Sequence, residues 1–141
     1  MTSDDGTFDQ TNADFWQARA REALEDAATL SVLSLELMVL AAGPDILAHA
    51  ALVAEGCARR AESCLARAET LAGAEVAVPK VAPPALDPTA GATAERARSL
   101  AAKVAARPTL GAGDALLDRI VEEQAGVIAV AEAIARFAGP S

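Results

Sequence analysis

Aromatic residues are scarce in this chain of 141 residues, which has no tyrosine, one tryptophan and three phenylalanines. Its hydrophobic share of 52% is about half alanine. Because alanine is the best helix former and buries little apolar area, we expect an all-α protein stabilised by close approach of long helices rather than by a thick core. A chain of this length is expected to form a single domain.

Histidine occurs once, as His49, and this excludes several kinds of active site. A ferritin-like di-iron centre requires a Glu-x-x-His motif on each of two helices, and the residue three before His49 is Ile46. A serine hydrolase triad would need a nucleophile that no motif indicates. We therefore predict that the protein is not an enzyme and that it holds no cofactor and no metal.

Only two cysteines are present, Cys57 and Cys64, within one predicted helix. Seven residues of helix separate them by about 10 Å along the axis. That distance is too long for a mutual disulfide or a shared metal ion. Buried, reduced cysteines are typical of the cytoplasm, and the N-terminus shows no basic region followed by an apolar core, so we expect a cytoplasmic protein without a secretory signal.

Basic residues are outnumbered, with 12 lysines and arginines against 20 acids and a net charge of −8. No basic face is visible, and this argues against binding to nucleic acid. Four aspartates lie within the first fourteen residues without a compensating base. Residues 1–11 are therefore predicted to be a disordered acidic tail.

Glycine and proline divide the rest of the chain into one helical-bundle domain, residues 12–139. We predict helices at about 13–42, 45–72, 93–107 and 114–138, with a proline-rich linker at 73–92. Gly43 and Pro44 are expected to end the first helix, with glycine as its C-terminal cap. The predicted fold is an up-down bundle of four helices, three long and one short, with alanine-rich, close-packed seams.

The stretch 27–54 is apolar on almost every side, and a helix of that kind must be buried in protein, in a partner or in lipid. A membrane span is not expected, because residues 27–42 fall short of the roughly 20 apolar residues required and include Glu36. Attachment to a lipid surface remains an alternative.

Glu36 is the most informative residue of this stretch, because its helical neighbours are Val32, Leu33, Val39 and Leu40. If Glu36 faces the core, it needs a partner, since an unpaired buried carboxylate is very costly. If it faces outward, the surrounding apolar residues form a patch of the kind that marks an interface. We favour the second reading and predict an interface made by these five residues.

The function predicted from the sequence is a non-enzymatic protein-interaction module that associates with itself or with a helical partner through helix 1. An alternative is a bundle that holds an apolar small molecule between its helices, with Glu36 and His49 as a polar pair in its core or pocket.

Overall fold

The computed structural model describes residues 11–108, 110–111 and 113–139. These residues form four α-helices and contain no strand, so the predicted four-helix bundle is confirmed. The helices are α1 (Ala13–Val39), α2 (Pro44–Ala72), α3 (Ala90–Ala105) and α4 (Ala115–Ala138). The predicted tail at 1–11 lies outside the described residues, apart from Thr11.

The bundle consists of two antiparallel hairpins, α1–α2 and α3–α4, with α1 packed on α3 and α2 on α4. Glu36 contacts Arg96, whereas Asp26 contacts Arg107, so α1 and α3 run in opposite directions. Residues 73–89, which we call the crossing segment, return the chain to the end of the bundle where α2 began. As a result, α3 runs in the same direction as α2.

Three of the helices begin at a polar side chain that accepts a backbone N–H of the first turn. The caps are Asn12 for α1, Thr89 for α3 and Asp114 for α4. Such a bond satisfies one of the four N–H groups that a helix start leaves unpaired. Because Thr89 is the cap, α3 starts at Ala90, three residues earlier than predicted.

The first helix ends at Val39 rather than at residue 42, and Gly43 does not end it. The Ala42 N–H donates to the Leu37 carbonyl, and the Ala41 N–H donates to the Met38 carbonyl. This is the hydrogen-bond pattern of a Schellman motif, with Ala41 at the left-handed position that glycine usually takes. Gly43 instead precedes Pro44 with an extended conformation and caps α2.

Ala41→Gly should raise the free energy of unfolding by about 1 kcal/mol, because Ala41 has a φ of 59° that its Cβ disfavours. Ala48→Gly, in regular helix, should lower it by about 1 kcal/mol. Urea denaturation of both variants measures the two effects. A loss of stability in Ala41→Gly would contradict the assigned helix end.

The core has two apolar clusters, one at each end of the bundle. The cluster near the α1–α2 loop draws on all four helices, because α3 covers only this half. The other cluster is built from α1, α2 and α4, and it includes the ring pair of Phe15 and Trp16. On α1 and α2 a buried charged residue separates the two clusters in sequence, Asp26 on α1 and Arg60 on α2.

The crossing segment runs along α1. The Gln17 side chain donates to the Ala77 carbonyl at 3.5 Å, and Glu36 accepts the Asp87 N–H at 2.8 Å. The helix from 17 to 36 is about 28 Å long. Residues 77–87 cover about 31 Å at the rise of a polyproline helix. The two lengths agree, so the proline-rich segment crosses the bundle in the extended form that its composition predicts.

Candidate functional site

Glu36 lies fully inside the protein, and three groups hold its carboxylate. The Asp87 N–H donates to one oxygen, and the Thr93 hydroxyl donates to the other at 3.2 Å. The Arg96 guanidinium forms an ion pair with the same oxygen as the Asp87 N–H. Arg96 also donates to the Ala85 carbonyl at 2.6 Å. The carboxylate therefore joins α1, α3 and the crossing segment, as in the core-facing alternative considered for it.

The predicted surface patch around Glu36 is not formed. Val32, Leu33 and Glu36 are all buried within one chain, and Leu33 belongs to the apolar cluster near the loop. Of the five predicted interface residues, Val39 is exposed and Leu40 is half-buried. The prediction was wrong for the first three because α3 and the crossing segment cover that side of α1.

The predicted polar pair of Glu36 and His49 is also not formed. His49 lies on the exposed side of α2, whereas the carboxylate of Glu36 is occupied by the groups named above. This removes the polar contacts on which the small-molecule alternative depended.

Asp26 is the centre of a second buried charge cluster, which sequence reasoning missed. Its carboxylate accepts two hydrogen bonds of 2.7 Å from Arg107 and one of 3.3 Å from Arg60. Arg60 also lies 3.7 Å from Glu123. Burial lowers the pKa of Arg107, but its hydrogen bonds to Asp26 and the charge of Asp26 outweigh this and raise the pKa overall.

A sequence signal for this cluster does exist. Seven of the buried residues of α1 follow the alternating three- and four-residue spacing of a bundle seam, which passes through two charged positions. They are Trp16, Arg19, Ala23, Asp26, Leu30, Leu33 and Leu37. Following this spacing toward the N-terminus from Leu37 would have placed Asp26 in the core.

Both cysteines are buried in the seam between the helices and form no disulfide. Burial raises the pKa of Cys57 to about 12 and that of Cys64 to about 11. Because the thiolate is the reactive form, neither group is suited to nucleophilic or redox chemistry.

Native protein at pH 8 should therefore react with a thiol reagent at least ~100-fold more slowly than a free cysteine, and unfolded protein should react at the ordinary rate. Since the raised pKa values lie above 10, the native rate should keep rising as the pH increases from 8 to 10. Absorbance of the released thiolate measures both rates. Fast labelling of folded protein would contradict this assignment.

Near its loop, the α1–α2 hairpin carries the largest apolar side chains that the fold leaves uncovered in that region. Leu35, Met38 and Leu52 are exposed by 53%, 63% and 62%. A groove of about 490 Å³, lined in part by Leu35, runs between the two helices. It is lined mostly by small residues, namely Ala27, Ser31, Ser34, Ala51, Ala54 and Ala58, with Leu35 and Glu55. We call the groove, together with the side chains of Leu35, Met38 and Leu52, the hairpin face.

Small side chains give the hairpin face its shape. Ser31 and Ser34 donate to the carbonyls of Ala27 and Leu30, so their hydroxyls are satisfied within α1. Because the alanines and serines that line the groove are small, a neighbouring molecule can approach both helices closely. The face therefore presents apolar projections next to an apolar hollow, with its polar groups already paired.

None of the helices in the described part of the chain combines the length and apolar character needed to cross a membrane. No known protein family, no curated protein and no solved structure matches this chain.

Proposed function

We propose that this protein is a non-enzymatic interaction module that associates with a second copy of itself through the hairpin face. The observation that carries the proposal is the exposure of three large apolar side chains near the loop end of one hairpin, Leu35 and Met38 on α1 and Leu52 on α2. Large apolar side chains gathered in this way mark contact surfaces in proteins. The sequence analysis expected an interface on another side of α1, whereas the proposed surface includes Leu35 of α1 and extends onto α2.

The shape of the face favours a second copy as its occupant. A two-fold contact brings the same surface of both partners together, so it requires a surface complementary to itself. The hairpin face has projecting side chains at the loop end and the small-residue groove toward the middle of the helices. With a two-fold axis near Leu35, the Met38 and Leu52 of one copy would enter the groove of the other.

The size and charge of the molecule set the strength of this contact. Twelve residues of α1 and the adjacent antiparallel stretch of α2 give a face of about 16 by 20 Å, which is smaller than the roughly 800 Å² that each partner buries in a standard interface. The net charge of −8 on each copy adds repulsion. We therefore expect reversible dimers that strengthen with salt, since screening weakens the repulsion more than it affects the apolar contact.

The test is the solution mass of the wild type, Leu52→Arg and Leu71→Arg over a range of concentrations. Leu71 is 41% exposed on the same helix but outside the hairpin face, so it is a matched control. We expect the wild type and Leu71→Arg to show the same concentration-dependent rise above 14.3 kDa, and Leu52→Arg to stay monomeric.

A wild type that stays monomeric at every concentration and salt level would overturn the proposal. Sedimentation of such a monomer with phospholipid vesicles would then assign the face to a lipid surface instead. Equal dimerisation of all three proteins would place the interface elsewhere.

A further inference from the structure

The contacts between the two hairpins follow a simple charge pattern. The acids of α1 pair with bases of α3 and of the residues that follow α3. These pairs are Glu25–Lys103 at 3.3 Å, Asp26–Arg107 at 2.7 Å, and Glu36–Arg96. The bases of α2 pair with acids of α4 and of its N-terminal cap. These pairs are Arg60–Glu123 at 3.7 Å and Arg67–Asp114 at 3.0 Å.

This pattern specifies how the hairpins dock. Turning the α3–α4 hairpin over would place α3 against α2 and bring bases onto bases, with acids onto acids at the other seam. Unpaired or like charges at partly buried positions are strongly disfavoured. The inner face of the α1–α2 hairpin therefore selects a helical hairpin with the charges of α3–α4, in one orientation.

The covalent connection between the hairpins does not limit this selection to one chain. Residues 73–89 contain no helix and could extend to about 55 Å. The longest helix, with 29 residues, spans about 44 Å. The crossing segment is thus long enough to deliver the α3–α4 hairpin to a neighbouring molecule without unwinding either hairpin.

We propose that the α3–α4 hairpin exchanges between copies, docking on the inner face of a second chain's α1–α2 hairpin to give a reciprocal dimer. Each contact between hairpins in the single chain is remade in that dimer. The equilibrium between single chain and exchanged dimer therefore depends only on the path of the crossing segment and on the entropy of association. A tethered hairpin has an effective concentration of roughly millimolar order, so exchange should become substantial as the protein approaches about 1 mM.

Exchange uses the inner face of the α1–α2 hairpin, so it is independent of the self-association proposed for the outer hairpin face. The two can be separated experimentally by working in a Leu52→Arg background, which removes the outer contact and leaves every charge pair between the hairpins in place.

The test mixes two full-length chains in that background, one with Glu25→Cys and the other with Lys103→Cys. They are unfolded in urea, refolded together at rising concentration and treated with a short bis-maleimide. We expect a covalent heterodimer whose fraction rises several-fold as refolding approaches millimolar protein. A single chain with both cysteines is the control, and it should link within itself at low concentration.

The proposal would be overturned if the control linked completely within itself while the mixture formed no more covalent dimer than either single-cysteine chain forms alone.

A second measurement uses charge instead of cross-linking. Glu36→Lys and Arg96→Glu each place like charges together in a single chain, but an exchanged heterodimer of the two restores both pairs. The mixture should melt as one species, near the Glu36→Lys/Arg96→Glu single chain, and two separate low transitions would contradict exchange.

Discussion

Asp26→Ala is expected to lower the free energy of unfolding by about 3–5 kcal/mol, because it leaves Arg60 and Arg107 buried without their carboxylate. Arg60 is 1% exposed, so water cannot replace the lost partner without opening the bundle. Thermal and urea denaturation measure the loss. The total free energy of unfolding of a protein of this size is only about 5–15 kcal/mol, so the variant should be close to unfolding at 37 °C.

The matched control for this prediction is Glu55→Ala. Glu55 pairs with Arg59 at 2.9 Å, one turn away on the exposed side of α2. An exposed pair of this spacing contributes only about 0.3–0.5 kcal/mol. If Asp26→Ala and Glu55→Ala lost similar amounts of stability, the buried cluster would not have the role assigned to it.

Glu36→Gln is expected to lower the free energy of unfolding by about 3 kcal/mol and also to release the crossing segment from α1. Glutamine keeps the size of the side chain but removes the charge that holds Arg96, and Arg96 in turn donates to the Ala85 carbonyl. The Asp87 N–H, which donates to Glu36, should exchange its hydrogen about a hundredfold faster than in the wild type.

Two measurements check this prediction. Hydrogen exchange followed by mass spectrometry reports on residues 77–88, and trypsin should cut after the exposed Lys80 faster in the variant. Glu95→Gln is the control, since Glu95 lies one residue from Arg96 in sequence but pairs with Arg98 on the surface. Unchanged exchange in Glu36→Gln would show that the carboxylate does not hold the segment.

Much of the architecture was predictable because it depends on local chemistry. Alanine content indicated helices, and the prolines of residues 73–92 indicated the linker that joins the second and third of them. The end of α1 was not predictable in this way. Ala41 adopts a conformation that favours glycine, so the glycine signal two residues later pointed to the wrong position.

The environment of Glu36 was beyond local reasoning for a different reason. Its partners Asp87, Thr93 and Arg96 lie 51 to 60 residues away in sequence, and no pattern near Glu36 indicates them. The apolar residues around it were read as an interface because the crossing segment was treated only as a linker. That segment packs against α1, so the side of α1 expected at the surface is inside, and the exposed apolar residues lie around Leu35.

Self-association through the hairpin face is tested most directly by a Leu35→Cys chain, oxidised under mild conditions at high protein concentration. Leu35 lies near the proposed two-fold axis, whereas Cys57 and Cys64 are buried and unreactive. Our account predicts a disulfide-linked dimer of twice 14.3 kDa from Leu35→Cys and little from Leu71→Cys. No covalent dimer from Leu35→Cys, or equal amounts from both variants, would contradict it.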